Sequence, residues 1–209
     1  MLSSDAMKWI EDHVSRNVGR FDVLHEIIPL DLHIDVLLVK PTRKLDRCSL
    51  VTMGMCERAM TVPQGEADPK FAELMMCLPS SWKFTDEAQQ EERYSWPLFW
   101  LQTLARFPHQ ANTFLAPGHT IPNGDPPEPI GPDTEMRCIL IREPVATPEA
   151  FRTLKLKKKT IHFYALVPLY REEMEYKIAR GYEALTKLLD EHHVTELLDP
   201  KRPSVCPKK

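Results

Sequence analysis

His33 and Asp35 stand two residues apart in HIDVLLVKPT, the spacing that puts two side chains on one face of a β-strand. Glu73 stands in FAELMMCL among apolar neighbours, where an unpaired carboxylate would be costly. His109 and His119 flank a proline-rich stretch that also holds Asp125. Brought together, His33, Asp35, Glu73, His119 and Asp125 would offer imidazole and carboxylate ligands to a divalent ion, and such a centre would support metal-assisted hydrolysis. No HExxH, HxH or DxD spacing accompanies them. The competing reading is structural: His33 and Asp35 bond locally, and Glu73 pairs with an arginine such as Arg58 or Arg106. Cys56 is the candidate nucleophile of a Cys–His hydrolase, but that chemistry needs an electropositive, partly exposed thiol. Nothing in the sequence around Cys56 supplies that setting.

The elements that must position these groups belong to an ordinary globular chain. Its 209 residues are 43% hydrophobic and 27% charged, which excludes a wholly disordered or a fibrous protein. A chain of this length buries roughly 70% of its unfolded surface, so it needs neither disulfide nor metal to hold a core. Lys and Arg number 27 against 30 Asp and Glu, a net charge of −3. Mild acidity argues against nucleic acid or an anionic membrane as the main partner. Only 7 residues are glycine, and neither GxGxxG nor GxxxxGK[ST] occurs, so the usual phosphate-binding loops lack their support. The cysteines number 5, with no CxxC or CxxxC pair, which indicates buried thiols and no disulfide framework or zinc site. The N-terminal MLSSDAMKWIEDH carries acids and no apolar core of a secretory signal. No apolar run reaches the roughly 20 residues of a membrane helix. A cytoplasmic protein with no cofactor is expected.

Residues 4–18 read as an amphipathic helix, with Ala6, Trp9, Ile10, His13, Val14 and Asn17 on its docking face. Ser3, Ser4 or Asp5 can cap it and Gly19 can end it. Strands are expected at 31–40, stopped by Pro41, and at 48–56, 71–78, 136–142 and 160–167. Asp86 opens a short charged helix, Pro97 should break the segment, and a second helix should run from Leu98 to Arg106. A helix over 170–191 follows from the stripe Met174, Ile178, Tyr182, Leu185 and Leu189. The proline-rich loop 116–133 can be neither helix nor inner strand, and a loop of that length tends to be functional or mobile. The basic run Arg152, Lys155, Lys157, Lys158 and Lys159 reads as a solvated turn before the strand at 160. His192 and His193 read as the end of a helix. Trp9, Trp82, Trp96 and Trp100 read as core anchors. The whole chain, 1–209, is expected to be one α+β domain whose central sheet is mixed, mainly antiparallel, and flanked by helices.

Several blocks, taken in order, resemble the suppressor of fused family. They are HIDVLLVKPT (33–42), LVTMGMCERAMTVP (50–63), AELMMCLPSSW (72–82), ARFPHQANTFLAPGHTIPNG (105–124), YALVPLYREEMEYKIARGYEALTKLL (164–189) and LDPKRPSV (198–205). The resemblance is to a stand-alone, bacterial-type member without the extra C-terminal region of the animal proteins. It implies a mixed sheet with helices around it, no enzymatic activity and no cofactor. It also implies a protein partner, which animal members grip partly by strand addition, and for bacterial members an immunity or antitoxin role against a cognate toxin. On that resemblance the polar residues His33, Asp35, Thr52, Glu73, His119 and Asn123 would set the register of a partner in a groove. Met53, Met55, Met60, Trp82 and Phe114 would supply apolar contact. The alternative keeps Met53, Met55, Met75 and Met76 in the core.

Overall fold

A computed structural model describes residues 4–26, 31–43, 45–63 and 69–206. Eight strands run β1 (Phe21–Leu24), β2 (Asp35–Val39), β3 (Arg47–Met53), β4 (Ala72–Pro79), β5 (Thr120–Pro122), β6 (Cys138–Arg142), β7 (Thr153–Lys155) and β8 (Thr160–Leu169). The helices are α1 (Ser4–Asn17), α2 (Asp86–Gln89), α3 (Glu92–Gln110), α4 (Arg171–Arg180) and α5 (Tyr182–Glu191). All eight strands join one sheet in the order β1-β2-β3-β4-β8-β6-β5, with β7 also on β8. Only the β4–β8 pair is parallel, so the sheet is mixed and mainly antiparallel, as the sequence leads one to expect.

The sheet is covered on both faces, and that explains its composition. One core packs Leu50, Leu74, Met76, Ile139, Ile141 and Leu166 against Trp96, Trp100, Leu101 and Leu104 of α3. The other packs Val51, Met75, Leu140, Phe163 and Val167 against Ile10 and Val14 of α1 and Leu185 and Leu189 of α5. A central strand covered twice reads as a continuous apolar run rather than an alternating one. That is the pattern of LMMCL in β4 and of ALV in β8, all buried. Met53, Met55, Met60, Met75 and Met76 all lie in these cores. No helix among the described residues is long and apolar enough to cross a membrane.

Three expectations need correction. Pro97 does not break α3, which continues through Pro97 and Pro108 to Gln110. An interior proline costs about 3 kcal/mol, but burying Trp96, Trp100, Leu101 and Leu104 contributes about 1.5–3 kcal/mol for each large apolar side chain. The helix expected over 170–191 is two helices, divided at Gly181, whose φ is 93°. The interruption turns α4 away from the apolar stripe and leaves Ile178 71% exposed. Trp9 does not dock: it is 44% exposed, while Ile10, His13 and Val14 carry the buried face of α1. Ser3 and the side chains of Ser4, Asp5 and Ala6 lie outside the described residues. The basic run does turn into β8, with Leu156 N–H bonding the Lys159 carbonyl, although Thr153–Lys155 forms a short strand first.

His13 fastens α1. Its ring stacks on both Phe151 and Phe163, at centroid distances of 5.5 and 4.9 Å, and the two phenyl rings meet each other at 4.7 Å. Nε2 lies 3.0 Å from the Phe151 carbonyl, and Nδ1 faces the Asn17 amide nitrogen at 3.4 Å. A carbonyl needs a donor and an amide nitrogen an acceptor, so the site selects the neutral Nε2–H tautomer. Burial lowers the His13 pKa below the ordinary 6.5. A group that protonates less readily folded than unfolded adds stability above its unfolded pKa and loses it as pH falls. Denaturant midpoints should therefore decline as pH drops below about 6.5, and His13→Gln should flatten that part of the profile.

The chain end is clamped. Arg202 Nη1 and Nη2 meet Glu173 Oε1 and Oε2 at 2.6 and 2.7 Å. Glu173 also accepts the backbone N–H groups of Val205 and Tyr170 at 2.9 Å each. The tail reaches this clamp along β4, where Leu197 bridges Cys77.

Candidate functional site

The His–carboxylate residues divide into separate groups. The β3–β4 ladder stops at Val51–Met75, and beyond it the Thr52 hydroxyl accepts the Leu74 N–H at 2.8 Å. The same hydroxyl donates to Glu73 Oε2 at 2.6 Å. Glu73 Oε1 accepts the N–H of Gly54 at 3.0 Å and of Cys56 at 3.1 Å. Glu73 thus caps the 3₁₀ turn Met55–Glu57 from below, with no arginine partner: Arg58 pairs with Asp31, and Arg106 with Glu26. Burial pushes the Glu73 carboxyl above the usual range, against the pull of its hydrogen bonds. Burial likewise pushes the Cys56 thiol far up, so it supplies no thiolate nucleophile.

His33 and Asp35 do bond each other, Nε2 to Oδ1 at 2.9 Å. Asp35 is buried and also holds His25 Nδ1 at 3.2 Å and the Glu26 N–H at 3.0 Å, while the His33 side chain is 50% exposed. This knot ties the two ends of the β1–β2 connection together. His33 leads into β2 and His119 precedes β5, five interstrand steps apart in the sheet order, or roughly 24 Å. No group of three His, Cys, Asp or Glu among the described residues could hold a metal ion. The ligand set His33, Asp35, Glu73, His119 and Asp125 is therefore not assembled. Thr52, Met55 and Glu73 are each 0% exposed, so they line no groove. Their place is structural. Trp82 borders a separate groove with Leu38, Lys40, Pro41 and Phe84.

His119 and Asn123 bracket a different feature. His119 carbonyl accepts the Ile141 N–H at 2.9 Å, and Asn123 N–H donates to the Arg137 carbonyl at 2.9 Å. In an antiparallel pair such bonds alternate, so residues 119, 121 and 123 face β6 while the backbone of Thr120 and Pro122 faces away. β5 ends the sheet, and that outward side is its open edge. Pro122, which has no N–H, sits where none is needed. A groove of about 360 Å³ runs along this edge, lined by Phe107, Phe114, Ile121, His119, Pro122 and Lys177 among others. The His119 and Phe114 rings meet edge-on at 4.8 Å.

The rest of the proline-rich loop is anchored to the core, which holds the edge in place. Asn123 Nδ2 donates to the Pro129 carbonyl at 2.7 Å, and Trp100 Nε1 donates to the Ile130 carbonyl at 2.9 Å. Gly131 lies flat on Trp96, where a Cβ would come within 2.8 Å of the indole. Sequence reasoning names Phe114, His119 and Asn123 here and misses Phe107, Ile121 and Lys177. Pro122 was the available signal, since a proline in an extended segment marks an edge.

The family model for suppressor of fused protein matches residues 31–203. A suppressor of fused homologue from Neisseria gonorrhoeae FA 1090 superposes with a TM-score of 0.68 at 16% identity, covering 99% of this chain and 100% of that one. The suppressor of fused structure in a Sufu–Fu complex matches with a TM-score of 0.65 at 17% identity, covering 96% and 92%. Drosophila Suppressor of Fused matches with a TM-score of 0.66 at 14% identity, covering 98% of this chain and 54% of that one. This chain thus spans about half of the Drosophila protein. No curated protein sequence matches. At these identities the likeness shows a shared fold.

Proposed function

The chain belongs to the suppressor of fused family, and from that membership we propose that it is a non-enzymatic domain that binds a protein partner and neutralises it by occupation. The observation that carries this reading is the open edge of β5 beside the Phe107–Phe114–Ile121 groove. An exposed edge offers a row of backbone donors and acceptors to an extended segment, and flanking apolar pockets add affinity and specificity. The edge is pre-formed because the loop that carries it is bonded to α3, so little ordering entropy is lost on binding. A similar fold occurs in a Sufu–Fu complex, which agrees with a binding role. His119, Asn123 and Phe114 belong to this site, and Phe107, Ile121 and Lys177 complete it.

The partner is a cognate toxin, and the chain is its cytoplasmic immunity protein. A protein captured in stoichiometric amount by this chain should arrest growth when expressed alone, and co-expression of this chain should restore growth. A captured partner that is harmless alone would contradict the immunity role.

A further inference from the structure

The groove beside β5 carries a second inference, which rests on reading that edge as the partner site. We propose that the segment it receives carries an acidic side chain between two apolar ones. The groove wraps the edge. Phe107, Phe114 and Ile121 belong to the α3 side of the sheet, and Lys177 comes from α4, which packs on the other side through Met174 and Tyr176. Lys177 and His119 are the ionisable groups in the lining, and no carboxylate joins them.

The Lys177 carbonyl accepts the Gly181 N–H at 2.9 Å, but its ammonium has no ion pair or hydrogen bond with another described residue. The acids near it on α4 are engaged elsewhere: Glu173 holds Arg202, and Glu175 holds Arg171 at 2.8 Å. A strand laid on β5 would cover the half-buried Lys177 ammonium further, and covering an unpaired charge is unfavourable. A carboxylate on the incoming segment removes that cost and rejects basic segments. Successive side chains of a strand point to opposite faces. A residue facing Lys177 therefore has neighbours that face Phe107, Phe114 and Ile121, which gives the apolar–acidic–apolar order.

A random dodecapeptide library displayed on phage, panned on the whole protein, tests this. Thr120→Pro serves as the edge-blocked control, because it removes an outward N–H and no β5–β6 bond. Peptides retained by the wild type and lost on Thr120→Pro should share Asp or Glu flanked by apolar residues. Lys177→Glu, on a helix surface, should bind those peptides at least about tenfold more weakly and should select Lys or Arg at the same position. Edge-dependent peptides with no acidic preference, or with unchanged affinity for Lys177→Glu, would overturn the charge inference alone. Failure to retain any edge-dependent peptide would overturn the edge reading and this inference with it.

Discussion

Arg202→Ala should lower folding stability by about 3–5 kcal/mol, the scale of breaking a buried ion pair from one side. Glu173 is fully buried and Arg202 nearly so. Both guanidinium nitrogens of the fork meet the carboxylate, and Arg202 Nη2 also donates to the Pro168 carbonyl at 2.9 Å. Removing the cation strands a carboxylate at the junction of β8, α4 and the chain end. The Tyr170 ring, beneath the guanidinium at 5.3 Å, loses its cover as well. Denaturant titration of wild type and variant measures the effect. The double substitution Glu173→Gln with Arg202→Met removes both charges and keeps an oxygen for one of the two backbone N–H groups that Glu173 holds, so it should recover part of the loss. A loss below about 1 kcal/mol for Arg202→Ala would mean that the clamp behaves like an exposed pair.

Glu73→Ala should cost a similar amount, about 3–5 kcal/mol, as three buried donors lose their acceptor at about 1–3 kcal/mol each, with partial relaxation. The donors are the Thr52 hydroxyl and the N–H groups of Gly54 and Cys56. Glu73→Gln keeps an oxygen for the two N–H groups and should cost about 1–2 kcal/mol. Gly54 explains why the turn needs this anchor. Its φ is 142°, and a Cβ there would lie 2.2 Å from the His33 carbonyl oxygen. Only glycine lets the chain pass that close, and its N–H must then find the carboxylate. Because no Glu73 atom reaches the surface, Glu73→Gln should lower the melting temperature and leave partner capture unchanged. Loss of capture in a variant that remains folded would restore Glu73 to the functional site.

The legible parts of this fold are those that long-range packing reinforces locally. β4 and β8 announce themselves as apolar runs because both faces are covered. β1, β5 and β7 are only three or four residues long, too short to carry a periodic signal of their own. Met174 and Ile178 fit a helical stripe on paper, but one glycine resets the helix direction between them and Leu185. The polar residues read as a cluster were correctly seen as unusual for their apolar settings. His33, Asp35 and Glu73 serve two separate structural knots, one at Glu73 and one at Asp35, while His119 lies beside β5. The candidate site drew on α3, β5 and α4, and three of its residues were unreadable because only the folded chain brings those elements to one sheet edge. His119 and Asn123 were visible through family resemblance and not through any spacing.

The proposed seat of the partner is the β5 edge. Growth rescue by wild type and by Thr120→Pro, each co-expressed with the captured partner at equal level, tests it most directly. Full rescue is expected from the wild type and none from Thr120→Pro, with at least about a hundredfold loss of affinity between the purified proteins. The melting temperature of Thr120→Pro should stay within a few degrees of the wild type. Equal rescue by Thr120→Pro would place the partner on another surface and contradict the account.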